Sequence, residues 1–229
     1  MYSIGSVPFE IFQNADDSVI QLDEGVRNQS DQFEIIVGED RIFFKHRGRS
    51  INSWSRTARS MTEARELGYH ADLGKMLFLN SSSKRAESEV TGQFGLGFKS
   101  IYLLGNIPKV ASGDLFFEIR AGFYPRILPF DETEELRNLS SLGDATQSAT
   151  VIEIPTHDID PLEAIDRFEI MAPYLPLFGK GIKEVKVLIN EQETIYSAES
   201  LHEKPIFKLF NDERVLRLGD VQKGCVILN

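Results

Sequence analysis

The chain has 229 residues, of which 41% are hydrophobic and 26% are charged, a balance that is ordinary for a globular protein and allows a sizeable core. The 35 acidic residues outnumber the 25 basic ones and give a net charge of −10, which argues against a surface shaped mainly to bind nucleic-acid phosphates. The single cysteine, Cys225, excludes an intramolecular disulfide, and the sequence shows no signal peptide and no apolar run of membrane-spanning length, so we expect a cytoplasmic protein without membrane contact.

The first predicted element is a helix near the start of the chain that has two unlike sides. Apolar residues recur at three- and four-residue spacing and form a side that can enter a core: Pro8, Ile11, Phe12, Ala15 and Val19. Glu10, Asn14 and Asp17 share the other side. A Glu beside a phosphate can orient or deprotonate water, and an Asn oxygen is a good neutral ligand for Mg2+. A merely solvated helix face would show the same pattern.

A β-hairpin is predicted over 32–45, where hydrophobic residues alternate on either side of Gly38-Glu39-Asp40. Basic residues cluster at and after its end: Lys45, His46, Arg47, Arg49, Arg56 and Arg59. This cluster is the one candidate surface for nucleic acid, and a solvated face is the alternative interpretation.

A glycine-rich segment at 91–100, TGQFGLGFKS, follows predicted helices at 51–67 and 72–79 and a polar stretch at 80–90. Its glycines free the backbone for tight turns, and an apolar run at 98–104 predicts a helix after them. A glycine-rich turn that opens a helix directs N–H groups at one point, which suits a phosphate. The segment is neither a P-loop, because no Gly-Lys-Ser/Thr follows, nor a clear Rossmann fingerprint, because no clear strand precedes it.

The two motifs EIFQNADD (10–17) and GQFGLGFKS (92–100), in this order, resemble those of the GHKL ATPases, the Bergerat-fold superfamily. The likeness is closest to sacsin-like members of the chaperone-like branch and covers about 2–188. It implies an α/β (α+β) two-layer sandwich, in which a mixed, mostly antiparallel sheet has helices on one face. It also implies an ATP-binding domain over 1–198 that lacks the family's first strand and helix, with 199–229 as a β extension or the start of a following domain.

The resemblance implies a site for ATP and Mg2+. Glu10 would position or activate the attacking water, Asn14 would hold Mg2+ at the phosphates, and Asp17 and Thr150 would support the base side. Backbone N–H groups of the glycine-rich segment would contact the phosphates: Gly92, Gln93, Phe94, Gly95, Leu96, Gly97 and Phe98. Lys84 and Lys99 are weaker phosphate candidates. For Lys84 a solvated surface, and for Thr150 simple β propensity, are the alternatives.

The chain departs from the family at its first glycine box, D-x-G-x-G, in which the Asp reads the adenine amino group. Gly48 matches the first glycine, but His46 stands at the Asp position and Ser50 at the second glycine. A neutral His46 ring could accept a hydrogen bond from adenine. Altered nucleotide preference, and a purely structural histidine at a strand end, are the alternatives.

The remaining predicted elements are mostly strands. Antiparallel strands are expected at 107–112, 115–120 and 123–128, a loop with a helical turn at 131–148, and a strand at 150–155. A helix at 161–178 should break near Pro173 and Pro176. Strands then follow at 182–190 and 194–197, with strand-like pieces at 206–210, 215–218 and 225–228.

The expected function is ATP binding with slow Mg2+-dependent hydrolysis, in which closure of a lid at 80–90 drives conformational change in a larger chaperone-like or remodelling protein. Its partners would be the nucleotide and, through further domains, protein clients or a second copy of the chain. The alternative is a non-hydrolysing nucleotide-sensing or scaffold module of the same fold. A DNA-linked ATPase of this fold is a weaker alternative, because the acidic charge argues against it.

Overall fold

The computed structural model describes residues 3–22, 24–27, 31–51, 61–66, 68–77, 97–141, 148–156, 159–197, 207–208 and 215–216. The α-helices in these ranges are α1 (Val7–Ile20), α2 (Glu24–Arg27), α3 (Met61–Glu66), α4 (Asp72–Leu77), α5 (Glu134–Ser140), α6 (Pro161–Met171) and α7 (Leu175–Phe178). Short 3-10 helices lie at Ile4–Ser6, Tyr69–Ala71, Phe98–Leu103 and Phe130–Glu132. None of the described helices is long and apolar enough to cross a membrane.

Eight strands form one open sheet: β1 (Gln32–Val37), β2 (Arg41–His46), β3 (Lys109–Ser112), β4 (Leu115–Arg120), β5 (Tyr124–Ile127), β6 (Thr150–Pro155), β7 (Glu184–Ile189) and β8 (Gln192–Ser197). Their order is β5-β4-β3-β6-β2-β1-β7-β8. The β1–β7 pair is parallel and the other neighbours are antiparallel. A mixed, mostly antiparallel sheet is therefore confirmed. The short strands β9 (Phe207–Lys208) and β10 (Val215–Leu216) pair separately.

The first face of the sheet carries the larger core. The apolar side of α1 is buried as the periodicity predicts, and Phe12 packs edge-on against Phe33 of β1, with ring centroids 5.4 Å apart. Phe168 of α6 lies 5.1 Å from Phe9 by the same measure and is fully buried. Burial of each such aromatic side chain contributes about 2 kcal/mol, so α1 and α6 are held to this face mainly by their apolar stripes.

The second face is not bare, and the prediction of helices on one face only is wrong. The helix α5 lies on this face, where Leu136 is buried in a smaller core with Phe43 of β2 and Val151 of β6. The physical reason is that Phe43 and Phe44 are consecutive, so their side chains point to opposite faces and each face needs apolar cover. The sequence at 131–148 is mostly polar, so this helix was predicted only as a loop with a helical turn. Its contacts with the core come from Leu136 and Leu139.

Ion pairs cover much of the remaining second face. Glu34 of β1 is buried between Lys45 and Lys186, at 3.0 Å and 3.6 Å, on the neighbouring strands. Glu153 of β6 is buried in the same way, with Lys109 and Arg41 each 3.3 Å away. Lys45, which belongs to the predicted basic cluster, is therefore paired with the carboxylate of Glu34 on the neighbouring strand.

The other sequence predictions are largely confirmed where the structure describes them. The hairpin at 32–45 is β1–β2, the three strands at 107–128 are β3, β4 and β5, and the strand at 150–155 is β6. The helix predicted at 161–178 is split into α6 and α7 around Pro173. The helix predicted at 98–104 is a 3-10 helix. Of the helix predicted at 51–67, the described residues are Ile51, which lies in a turn, and those of α3. The strand predicted at 225–228 lies outside the described residues.

Candidate functional site

The polar side of α1 meets the end of the glycine-rich segment. A Cβ placed on Gly97 would lie 2.7 Å from Glu10 Oε2 and 3.8 Å from Asn14 Nδ2. A side chain at this position would displace the end of the flexible Glu10 side chain from where it now lies. The structure thus brings Glu10, Asn14 and Gly97 together, and we call these three residues the Glu10 corner.

The two side chains of the Glu10 corner have different environments. Asn14 is exposed, so its amide is free to bind a ligand from solvent. Glu10 is partly buried, and this burial raises the pKa of its carboxyl above the ordinary value. A carboxylate with a raised pKa holds a proton more strongly and is a better general base near neutral pH.

Asp17 lies further along α1 and is half-buried. Its burial, together with the adjacent Asp16 carboxylate, raises the pKa of its carboxyl, whereas Lys180 acts in the opposite direction. Asp17 is therefore less readily ionised than a free aspartate.

Asp16 has a structural role that the sequence analysis did not predict. Its carboxylate is buried and accepts hydrogen bonds from the backbone N–H groups of Lys180, Gly181 and Ile182, at 2.9, 2.8 and 2.8 Å. These bonds fix the segment before β7 against α1. A signal was present in the sequence, because Asp16 falls among Phe12, Ala15 and Val19 on the apolar side of the helix, where an aspartate needs partners.

His46 ends β2 and lies directly opposite Thr150 in the β2–β6 register. Both side chains therefore point to the first face of the sheet, the face that α1 covers. His46 is buried, and its Nδ1 accepts a hydrogen bond from the backbone N–H of Gly48 at 3.2 Å. Nδ1 also lies 3.3 Å from the hydroxyl of Ser18 on α1, which itself donates to the Ala15 carbonyl. Burial lowers the pKa of His46 to about 4.

The buried, neutral His46 predicts a loss of stability in mild acid. Its pKa is near 6.5 when unfolded and about 4 when folded, so the folded state binds the proton less well. His46 therefore contributes full stability above pH 6.5, and this is lost as the pH falls towards 4. By pH 5 the wild type should lose about 2 kcal/mol of unfolding free energy relative to His46→Gln.

Urea denaturation of both proteins between pH 7.5 and pH 5 measures this difference. Carboxylates titrate in both proteins, so only the gap between the two curves reports on His46. Parallel curves would show that the ring is not held neutral in the fold.

Gly48 is required by packing around His46. A Cβ on Gly48 would lie 1.9 Å from Ser18 Oγ and 2.9 Å from the Ser18 carbonyl carbon, so no other residue fits without moving α1. The next residue strengthens this contact, because the Arg49 N–H donates to the Ser18 carbonyl at 2.9 Å. The predicted glycine at this position therefore has a structural explanation that does not depend on a nucleotide.

Thr150 is buried within a chain of hydrogen bonds. Its hydroxyl lies 2.7 Å from the hydroxyl of Ser112 on β3, which accepts from the Ile51 N–H at 2.9 Å. These bonds hold the segment after His46 to the edge of the first face. Thr150 thus helps to order the segment that follows His46.

Arg49 belongs to the predicted basic cluster, but it is buried and its side chain joins neighbouring segments. Its guanidinium pairs with Asp72 of α4 at 2.6 Å, stacks 3.8 Å from the ring centre of Tyr69, and donates to Gln21 at 2.7 Å. With Lys45 paired as well, the described members of the cluster do not form a free basic surface. Arg56 and Arg59 lie outside the described residues.

Of the predicted phosphate contacts other than Gly97, the structure describes Lys99 and Phe98. Lys99 Nζ donates to the carbonyls of Leu77, at 2.7 Å, and Gly122, and burial lowers its pKa. Lys99 therefore bridges two backbone segments, and its phosphate contact remains a prediction. Phe98 begins the 3-10 helix and packs against the larger core. The remaining candidates lie outside the described residues: Lys84, Gly92, Gln93, Phe94, Gly95 and Leu96.

A cleft of about 510 Å³ lies elsewhere, on the second face of the sheet. It has an apolar floor that includes Phe43, and its rim carries the carboxylates of Asp131, Glu132, Glu134 and Glu135. Such a rim repels phosphate, so this cleft does not suit a nucleotide. This cleft lies on the opposite face of the sheet from the Glu10 corner.

No protein-family model matches the chain. No curated protein matches it either.

Proposed function

We propose that this chain binds ATP together with Mg2+, as the proteins that it resembles do, and hydrolyses it slowly. The observation that supports the proposal is the Glu10 corner, where a carboxylate, an exposed side-chain amide and a glycine backbone lie close together. The resemblance of the two motifs that form the corner supplies the identity of the ligand. From the single cysteine we propose a cytoplasmic protein. By the same resemblance we propose that nucleotide binding drives conformational change in a larger chaperone-like assembly.

The residues present fit Mg2+ only if the nucleotide supplies most of its ligands. No group of three or more His, Cys, Asp or Glu side chains in the described part of the chain could hold a metal by itself. The exposed Asn14 amide oxygen is a ligand type that Mg2+ accepts, and Mg2+ usually takes its other ligands from phosphates and water. When bound, the ion would neutralise phosphate charge.

The role of Glu10 follows from its environment. It would accept a proton from the attacking water, which its raised pKa favours. The missing side chain at Gly97 leaves the carboxylate room to reach that water. Asp17 would lie towards the base side of the pocket, with Thr150 and His46 on the neighbouring strands.

Replacing Glu10 with glutamine tests the hydrolysis step. We expect phosphate release to fall by about 10²- to 10⁴-fold, because a positioned general base contributes that much, while nucleotide affinity changes little. Phosphate release and equilibrium binding should both be measured. Glu163→Gln, the same change at an exposed position on α6, should leave both unchanged.

Equal turnover in wild type and Glu10→Gln would contradict the role of Glu10. A wild-type chain that binds Mg-nucleotide without any turnover would favour the non-hydrolysing nucleotide-sensing module instead.

A further inference from the structure

We propose that the cleft on the second face of the sheet docks a basic peptide segment of a partner protein. An apolar side chain of the segment would lie on the floor of the cleft, and its lysine or arginine side chains would meet the rim. The cleft holds about 510 Å³ and is open to solvent. It lies on the opposite face from the Glu10 corner, so the docking site does not depend on the proposed function.

The floor of the cleft is apolar because α5 covers only part of the second face. This helix has 7 residues and packs against β3 and β6, whereas the floor continues onto β1 and β2. Ile36 and Phe43 come from these two strands, and Leu139 of α5 closes the floor on the helix side. Ile36 and Leu139 are only partly buried, so an apolar side chain that entered the cleft would complete their cover.

Two of the four rim carboxylates are paired with cations of the protein. Glu132 accepts a hydrogen bond from Arg126 at 2.6 Å, and Glu135 lies 3.3 Å from Arg41. The Arg41 guanidinium is shared with two further carboxylates, so it neutralises Glu135 only in part.

Asp131 and Glu134 are the rim carboxylates left for a ligand. Both are exposed, and no lysine, arginine or histidine in the described part of the chain forms an ion pair with either. Arg137 is the cation of α5, but its guanidinium lies over rings that do not line the cleft, 4.5 Å from the ring centres of Phe116 and Phe130. A positively charged partner would therefore gain ion pairs here without displacing existing ones.

The same observations disfavour other occupants. Among the described residues, no group of His, Cys, Asp and Glu side chains could hold a metal ion, so the rim is not a cation cage. A second copy of this chain would carry the same net charge of −10 towards a negative rim. A polyamine would pair with the rim but has no apolar side chain for the floor. A basic peptide with an apolar residue matches both parts of the cleft.

Fluorescence anisotropy of the wild-type chain with a short labelled peptide tests the proposal. The probe carries leucines flanked on both sides by lysine and arginine, and serines replace the leucines in the matched peptide. We expect the leucine peptide to bind at least about 10-fold more tightly, because only this peptide can bury apolar surface on the floor. Equal affinities of the two peptides, or no binding by either, would overturn the proposal and leave the nucleotide site untouched.

The double variant Asp131→Asn with Glu134→Gln tests the rim. It should bind the leucine peptide about 5- to 10-fold more weakly than the wild type, because each exposed ion pair contributes modestly. The matched control is Glu163→Gln with Asp166→Asn, which removes the same charge from exposed positions of α6 with the same spacing. Its affinity should stay within about 2-fold of the wild type, because solvent and salt screen distant charges. Equal losses in the two double variants would show that the peptide follows net charge and not the cleft.

Two further outcomes would assign the cleft to another occupant and so overturn the proposal. Spermine that bound the wild type as tightly as the leucine peptide would show that charge alone is recognised. Self-association of the wild-type chain that the Asp131→Asn, Glu134→Gln variant abolished would place a second copy in the cleft, and sedimentation velocity without peptide measures this.

Discussion

Replacing Asp16 with alanine should destabilise the protein by about 4 kcal/mol. The change removes a buried carboxylate that accepts three backbone hydrogen bonds, and it leaves the N–H groups of Lys180, Gly181 and Ile182 unpaired. Each unpaired buried donor costs about 1–3 kcal/mol, and bonds to a charged acceptor are the stronger kind. The loss should appear as a lower urea midpoint for unfolding at pH 7.

Asp17→Ala is the matched control. Asp17 is the next residue on the same helix, but it is only half-buried, and its raised pKa shows that its charge is not stabilised. Its removal should change the unfolding free energy by less than about 1 kcal/mol. Equal losses for the two variants would contradict the anchoring role of Asp16.

Replacing Asn14 with alanine should weaken Mg2+-dependent nucleotide binding by about 100-fold. The amide oxygen is the neutral metal ligand that we propose at the Glu10 corner, and loss of groups that support a metal typically costs 10- to 100-fold in affinity. Because Asn14 is exposed, its removal should leave the unfolding free energy within about 0.5 kcal/mol of the wild type. Equilibrium titration with the Mg-nucleotide measures the effect.

Gln13→Ala serves as the control for Asn14→Ala. Gln13 is also exposed on α1 but lies about a quarter-turn away from Asn14 around the helix. Its removal should not alter the affinity. If Asn14→Ala and the wild type bound the Mg-nucleotide equally well, Asn14 would not be the metal ligand.

Local patterns in the sequence were enough to predict α1 and the hairpin that follows it. The spacing of Ile11, Phe12, Ala15 and Val19 places four side chains on one helix face, and that face is buried. Alternation around Gly38 predicts β1 and β2, whose pairing is short-range. Motif order also pointed to a meeting of Glu10 and Gly97, which lie far apart in the chain yet pack together.

Long-range polar contacts could not be predicted in the same way. The partners of Asp16 lie 164 to 166 residues further along the chain, and no pattern in the sequence around Asp16 identifies them. Arg49 was grouped with surface cations because its partner Asp72 and the ring of Tyr69 come from another segment. Composition alone cannot distinguish a buried arginine that pairs with distant residues from a solvated arginine.

The interpretation of His46 changes most between sequence and structure. The sequence allows the neutral ring to accept a hydrogen bond from adenine, and this depends on which nitrogen is free. The turn that brings the Gly48 N–H back onto Nδ1 takes up the acceptor. A contact between residues two positions apart thus places the proton of the neutral ring on Nε2.

Calorimetric titration of the wild-type chain with ATP, with Mg2+ and then with excess EDTA, tests the central proposal most directly. The arrangement of Glu10, Asn14 and Gly97 predicts binding in the micromolar range with Mg2+ and an affinity at least about 10-fold lower without it. Absence of ATP binding in the presence of Mg2+ would contradict the proposed nucleotide site.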